Sequence, residues 1–375
     1  MPKYLHYILL ICCFCACSRP HKGTEKPIVH YQTDSLQYAK HFSIQHTDNH
    51  SLLILYNPWQ KGEILGKYYL TRHDSIQTPT DGIQLTIPLQ TVCLQSAPHI
   101  GFIDALSQTE CVVGTTSPEL FYSPKLQQQY RTEHTHHLGD AYQMHLEKIV
   151  QLSPNALFIT AYPQTDGQTN RLYQLHIPII PTVEWTEPHL LGRAEWIKVY
   201  GLLFDQKELA DSLFNATTQQ YNRLAELAKK ATHQPTIMSG LPFKDTWYMP
   251  GGKSFMGQLF EHANLSYHYS DNEQFGSLPL SFETVWFYFQ QAEIWVGIDA
   301  DSYQQLAQMD ARLVQFAAAK NRQMYHYRKR LTPTGGNDFW ESAVVYPDRL
   351  LHDLMCIAHP TILPNQDTYY IERLP

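Results

Sequence analysis

From position 87 onward, apolar stretches of strand length alternate with stretches of helical period, and the alternation runs twice, once on each side of a long helical segment. The first run holds Thr91-Val92-Cys93-Leu94, a helix over 100–106, Cys111-Val112-Val113-Gly114, a helix over 146–152, Ala156-Leu157-Phe158-Ile159-Thr160 and Pro178-Ile179-Ile180-Pro181-Thr182-Val183. Strands with almost no polar positions are buried on both faces, which requires parallel strands covered by helices. Leu209, Leu213, Phe214, Tyr221, Leu224 and Leu227 then recur at three-to-four spacing, so a helix is predicted over 206–231, stopped by Pro235. At 1.5 Å per residue it spans ~40 Å, enough to bridge two lobes. Beyond it come a strand at 235–240, a helix over 254–264, a helix at Glu283, a strand at 293–298, a helix over 302–320, a strand at 323–327 and a final helix over 346–359.

The predicted class is therefore α/β, with two Rossmann-like lobes joined by a single long backbone helix and a cleft between the C-terminal ends of the strands, where open α/β sheets bind ligands. Ahead of the lobes, alternating runs at 41–44, 51–56 and 66–70, punctuated by Asn49, Asn57-Pro58 and Asp81-Gly82, predict a small antiparallel sheet. The expected divisions are 28–86 for this β extension, 87–204 for the first lobe, 205–234 for the linking helix and 235–375 for the second lobe.

Residues 1–27 read as an address. One cation precedes a short apolar run ending in Phe14-Cys15-Ala16-Cys17. The run is shorter than the ~20 residues of a membrane span. It fits a signal peptide over 1–16 cleaved before Cys17, whose thiol would carry lipid, followed by a polar tether over 17–27. The protein body is then expected on the outer side of the membrane, held by lipid alone. Of seven Cys, only Cys93, Cys111 and Cys356 lie beyond the lipid-bearing Cys17, too few for a disulfide scaffold.

The net charge is −7, and no extended block of Lys and Arg occurs, so broad nucleic-acid binding is not expected. The two lobes share one segment: Leu146-Glu147-Lys148-Ile149 precedes Ala156-Leu157-Phe158-Ile159 as Phe282-Glu283-Thr284-Val285 precedes Ala292-Glu293-Ile294-Trp295, nine positions from each leading Glu to the Ala. A carboxylate in the first turn of a helix is stabilised by the dipole there. One such acidic knob per lobe also suits a two-fold-symmetric partner bearing basic sockets.

These residues carry a resemblance. From about position 87 to the end, the chain resembles the substrate-binding proteins of ABC importers that handle vitamin B12, ferric siderophores and haem, a class III, TroA-like group. The matching stretches are 93–103 with Gly114-Thr115-Thr116, 139–159, 247–259 with Tyr248-Met249-Pro250-Gly251-Gly252-Lys253, 281–285, and 337–360 with Asp338-Phe339-Trp340-Glu341. The resemblance implies a shallowly hinging cleft, a metal chelate (siderophore, cobalamin or haem) as ligand, and an ABC permease dimer as partner. It implies no catalysis and no resident cofactor. Glu147 and Glu283 match the family positions that pair with permease arginines. The extension over 28–86 departs from the shortest family members.

Strand ends nominate the cleft residues Ser96, His99, Tyr122 and Tyr162 in the first lobe and Trp247, Tyr248, Phe339 and Trp340 in the second, since rigid aromatic walls suit a flat chelate. His134, His136 and His137 read as a solvated loop, and His352, Cys356 and His359 as part of a packed helix, so no metal site is expected from them. Gly251-Gly252-Lys253-Ser254 lacks the earlier glycine of a phosphate loop, Trp247 standing in its place. No nucleophile elbow, His-Glu-x-x-His or Gly-x-Gly-x-x-Gly occurs. Two other functions remain open on the same scaffold: a receptor for bare Zn²⁺ or Mn²⁺ using His99, and an extracytoplasmic enzyme.

Overall fold

A computed structural model describes residues 30–164, 167–175, 177–364 and 366–375. The leader, the tether and Cys17 lie outside the described residues.

The first sheet is built from β1 (Gln32–Thr33), β2 (Phe42–His46), β3 (Ser51–Tyr56), β4 (Ile64–Thr71) and β5 (Ile83–Thr86), in that spatial order. The pairs from β1 to β4 are antiparallel, as the alternation predicted, but β5 joins β4 in parallel, Tyr68 opposite Ile83 and Thr71 opposite Thr86. Asp81-Gly82 therefore ends a crossover and does not form a hairpin. The period of two sends Phe42, Ile44, Leu53, Leu55, Tyr68 and Leu70 to one face, where they share a core with Trp196, Tyr200 and Phe204 of the first lobe. The extension is thus one wall of that lobe's core.

Two buried carboxylates fasten it. The backbone N–H groups of Gln37, Tyr38 and Ala39 donate to Glu195 at 2.8–2.9 Å, and those of Lys40 and His41 to Glu187 at 2.8 and 3.1 Å. Lys198 Nζ and Trp196 Nε1 complete the two sets at 2.9 and 2.8 Å. A buried carboxylate is tolerated where its lone pairs are filled in this way.

The first lobe follows the predicted pattern in four strands; His136–His137, read as a solvated loop, is instead an edge strand of the same sheet. β6 (Val92–Leu94), β7 (Val112–Thr115), β8 (His136–His137), β9 (Ala156–Thr160) and β10 (Ile179–Thr182) form one wholly parallel sheet in the order β10-β9-β6-β7-β8. Its helices include α1 (Ala97–Ala105) and α2 (Leu146–Leu152). The linking helix is α3 (Lys207–Ala228), of 22 residues. Ala210 and Phe214 enter the first lobe's core, while Tyr221, Leu224 and Ala228 enter the second's.

The second lobe is mixed where continued βα alternation was expected. β11 (Ile237–Ser239) pairs in parallel with a later strand, but β12 (Pro242–Phe243), β13 (Thr246–Pro250) and β14 (Ser277–Leu280) form an antiparallel sheet. β15 (Ile294–Val296) is the parallel partner of β11, and β16 (Tyr325–His326) pairs antiparallel with β17 (Glu372–Arg373). The helices are α4 (Phe255–His262), α5 (Phe282–Phe289), α6 (Asp338–Ser342) and α7 (Pro347–Ala358), among shorter ones.

The linking helix joins the lobes, and other segments also pass between the two cores. Phe339 and Ala343 belong to the second core and Val344 and Val345 to the first, so the chain through α6 crosses the seam. Close backbone approach makes this possible: a Cβ at Gly101 of α1 would stand 1.8 Å from the Glu341 carbonyl oxygen, and one at Gly336 would stand 2.2 Å from that of Phe121.

Candidate functional site

The cleft between the lobes has a volume of about 540 Å³. Leu120 from the first lobe faces Leu331 and Trp340 from the second, with Tyr327, Arg328, Asp299 and Glu341 among its other walls. Trp340, 63% exposed, stands on α6 with its indole free of the core. Beneath it Phe339 is buried and stacks on Tyr327 with ring centroids 4.5 Å apart. Asn337 caps α6, its side chain accepting from the Phe339 N–H at 3.0 Å, which fixes where Trp340 points. The site is therefore an apolar slot with few polar groups, the usual composition of a small-molecule pocket.

Arg328 supplies the cation, held at 2.7 Å from Asp301 and 3.6 Å from the exposed Asp299. Glu341 lies on the floor, 4% exposed, and accepts the N–H groups of Tyr122 at 2.6 Å and Ser123 at 3.1 Å. Burial outweighs those bonds and pushes its carboxyl up to about 8, with Asp338 and Asp104 acting in the same direction. Leu331 also lines an adjoining hollow of about 700 Å³ that holds Tyr122, Lys329 and Arg330. Arg330 lies over the Tyr122 ring at 5.0 Å and pairs with Asp338 at 2.6 Å.

Of the eight nominated cleft residues, Trp340 lines the cleft itself and Tyr122 its neighbouring hollow. Tyr162 is exposed beside Trp185, 5.6 Å between rings, and Tyr248 is half exposed on β13. Ser96 is half-buried at the start of α1, hydrogen-bonded to Thr160 at 3.0 Å.

Three nominations need correction. Trp247 is fully buried, donates from Nε1 to the Ser239 carbonyl at 2.9 Å, and packs on Trp295 and Phe316. It sits in β13, where alternation turns it to the core and Tyr248 outward. Phe339 supports the cleft from below and does not wall it. His99 is also fully buried, its Nε2 hydrogen-bonded to Thr182 at 3.0 Å, and burial pushes its imidazole down to about 3. It faces no cleft and cannot ligate a metal there. Among the described residues no group of three His, Cys, Asp or Glu side chains is arranged to hold a metal ion. His134 Nε2 meets the Glu110 carbonyl at 2.9 Å, and His359 is bonded inside the fold to the Ala263 carbonyl at 2.8 Å.

Leu120 lies in the segment 116–122 that follows the second strand, where the strand-end rule points; cleft residues beyond that rule's eight selections also include Asp299, Tyr327, Arg328, Leu331 and Glu341. Asp299 and Arg328 directly follow the strands predicted at 293–298 and 323–327, so the strand-end rule reaches them. Leu331 and Glu341 gave no local signal, because the seam brings them to the cleft.

Glu147 and Glu283 are both exposed, in the first turns of α2 and α5. Each precedes by two positions a fully buried residue, Ile149 or Val285, that sets its helix in register. Arg312 approaches Glu283 only to 3.9 Å and pairs more closely with Asp310 at 2.7 Å. An exposed contact of this kind is worth little and leaves Glu283 open to a stronger cation.

Two lobes on a linking helix, with a ligand-sized slot between strand ends, have the architecture of a two-lobed binding protein. The chain belongs to the periplasmic binding protein family, whose profile, described as "Periplasmic binding protein", matches residues 100–331. It is similar to an uncharacterized lipoprotein of Methanocaldococcus jannaschii, 20% identical over 90% of this chain and 85% of that one. Among solved structures it is similar in fold to a periplasmic heme binding protein from Pseudomonas aeruginosa, at 16% identity and a TM-score of 0.59, covering 76% of this chain and 98% of that one. It is likewise similar to a possible iron-binding, periplasmic solute-binding protein from Staphylococcus epidermidis, at 14% identity and a TM-score of 0.54, covering 72% and 99%. Among the described residues no helix is long and apolar enough to cross a membrane.

Proposed function

We propose that this protein is a lipid-anchored receptor that captures a metal chelate of the haem, siderophore or corrinoid kind between its lobes and delivers it to an ABC permease. The observation that carries the reading is the cleft: an apolar slot walled by Leu120, Leu331 and Trp340, with Arg328 at its edge to meet an anionic substituent. Such walls hold a large, flat or amphipathic ligand through area, and one cation fixes its orientation. The heme-binding protein of Pseudomonas aeruginosa and the possible iron-binding protein of Staphylococcus epidermidis, similar in fold, support this class of ligand. Cys17 would carry the anchor, and the relative named a lipoprotein supports that.

Delivery would use Glu147 and Glu283 as paired knobs, one per lobe, against basic sockets on the permease dimer. Binding and release need no covalent chemistry. The test is chelate uptake by cells whose only receptor is the Glu147→Ala/Glu283→Ala variant. At least tenfold slower uptake with unchanged chelate affinity is expected; wild-type uptake would overturn the docking role.

A further inference from the structure

The seam beneath the cleft holds a contact whose position suggests a role beyond packing. The Glu341 carboxylate belongs to the second lobe, yet both of its hydrogen bonds come from the first, from the N–H groups of Tyr122 and Ser123. Those two residues end the segment that presents Leu120 to the cleft, which begins at Ser117 in the left-handed region, φ 45°. Ser123 Oγ in turn donates to Asp104 of α1 at 3.1 Å. Both flanks of the contact are backbone against glycine, at Gly101 and Gly336, so the seam cannot shift gradually and must either hold or part.

The charged groups around Glu341 are Asp104 on α1, Asp338 on its own helix, Arg330, which is paired with Asp338, and Lys125, which faces Asp104. No cation is paired with Glu341 itself among the described residues. Its hold on the Leu120 wall therefore rests on the two amides.

We propose that Glu341 is the latch of the cleft: a positioning residue that reaches across the seam, takes the Tyr122 and Ser123 amides, and keeps the Leu120 wall closed over the ligand. The proposal rests on the chelate-binding reading only for its ligand arm; the latch itself is a property of the empty protein. The two amide bonds favour the carboxylate, but burial in the closed seam outweighs them and favours the protonated form, so where parting would expose the carboxyl to water the closed arrangement loses stability as pH rises toward about 8.

The experiment compares wild type, Glu341→Gln and Glu341→Leu by amide hydrogen exchange of the empty protein and by hemin dissociation. The amides of Tyr122 and Ser123 use different oxygens of Glu341, so Gln keeps a neutral acceptor for one of them, whereas Leu leaves both without one. At pH 6 the Leu variant is expected to exchange Tyr122 and Ser123 at least tenfold faster and release hemin at least tenfold faster. Gln should fall between wild type and Leu, and Leu157 and Phe158 in β9 should be unchanged in all three. Between pH 6 and 9 the two amides should lose protection, corrected for intrinsic rates, in wild type but not in Gln. Unchanged exchange in the Leu variant, a pH step that survives in Gln, or faster exchange without faster hemin release would overturn the proposal. Should hemin fail to bind wild type, the ligand class falls, and the exchange and pH arms still decide the latch.

Discussion

Glu195 is the side chain on which the molecule's front edge depends. It is fully buried, and three successive amides from Gln37 to Ala39 converge on it together with Lys198. Removing the carboxylate leaves those donors without acceptors in a water-poor site, so Glu195→Ala is expected to lose ~3 kcal/mol of stability. The midpoint of urea unfolding reads this directly, and an unshifted midpoint would contradict it. Nothing in the local sequence announces the contact, because its partners are backbone groups more than 150 positions away. The same holds for Glu341 and its amides. His99 was misplaced for a related reason. It follows a strand end, where ligands gather, but it is the third residue of a helix whose inner face is packed. Strand-end position selects a neighbourhood, and helix phase decides which way each side chain goes.

At the scale of elements, hydrophobic period carried most of what could be read. Four of the five parallel strands of the first lobe and the linking helix follow from continuous apolar runs and three-to-four spacing; the fifth, β8 at His136–His137, has no apolar run to announce it. β13 was missed because Trp247-Tyr248-Met249 shows no apolar/polar alternation in sequence; only in the fold do Trp247 and Met249 turn inward and Tyr248, 51% exposed, outward. Gly251 and Gly252 turn the chain, since a Cβ on either would meet backbone oxygens of 270–276 at 2.3–2.4 Å, and Ser254 then caps α4 by accepting the Gly257 N–H. The crossing through α6 had no sequence signal of its own, because it depends on which core receives Val344 and Val345. Its tightness makes a prediction. In an ordinary helix Gly→Ala gains ~1 kcal/mol. Gly101→Ala should instead lower stability by ~2 kcal/mol or more, since the methyl would be driven into the Glu341 carbonyl. Thermal unfolding checks this, and a raised Tm would contradict it.

For the whole molecule, buried ionisable groups set the dependence on pH. Burial raises Glu187 to about 7 and Glu341 to about 8 in the folded state, so the folded protein binds protons there that the unfolded chain has released. Their contribution falls as pH rises through those values. His352 acts in the same direction. Its hydrogen bonding to Asp353 and Cys356 raises it to about 9, and the stability it supplies is full below about 6.5 and lost as pH climbs to 9. His99, pushed down to about 3, acts only on the acid side, where stability drops as pH falls below about 6.5. Urea unfolding should therefore give a lower midpoint at pH 9 than at pH 6.5, with the gap narrowed in Glu341→Gln. A midpoint that rises over that interval would contradict these assignments.

The whole molecule also presents its function as a single geometric fact, a slot between two lobes with an exposed indole at its wall. The most direct measurement is a titration of the purified protein with hemin, cobalamin and a panel of ferric siderophores, followed by tryptophan fluorescence, in wild type and Trp340→Ala. One of these ligands is expected to quench fluorescence with one-to-one stoichiometry, and Trp340→Ala should lose most of the quenching and at least tenfold in affinity. No response to any of them, or an identical response in the variant, would contradict capture of a chelate in this cleft.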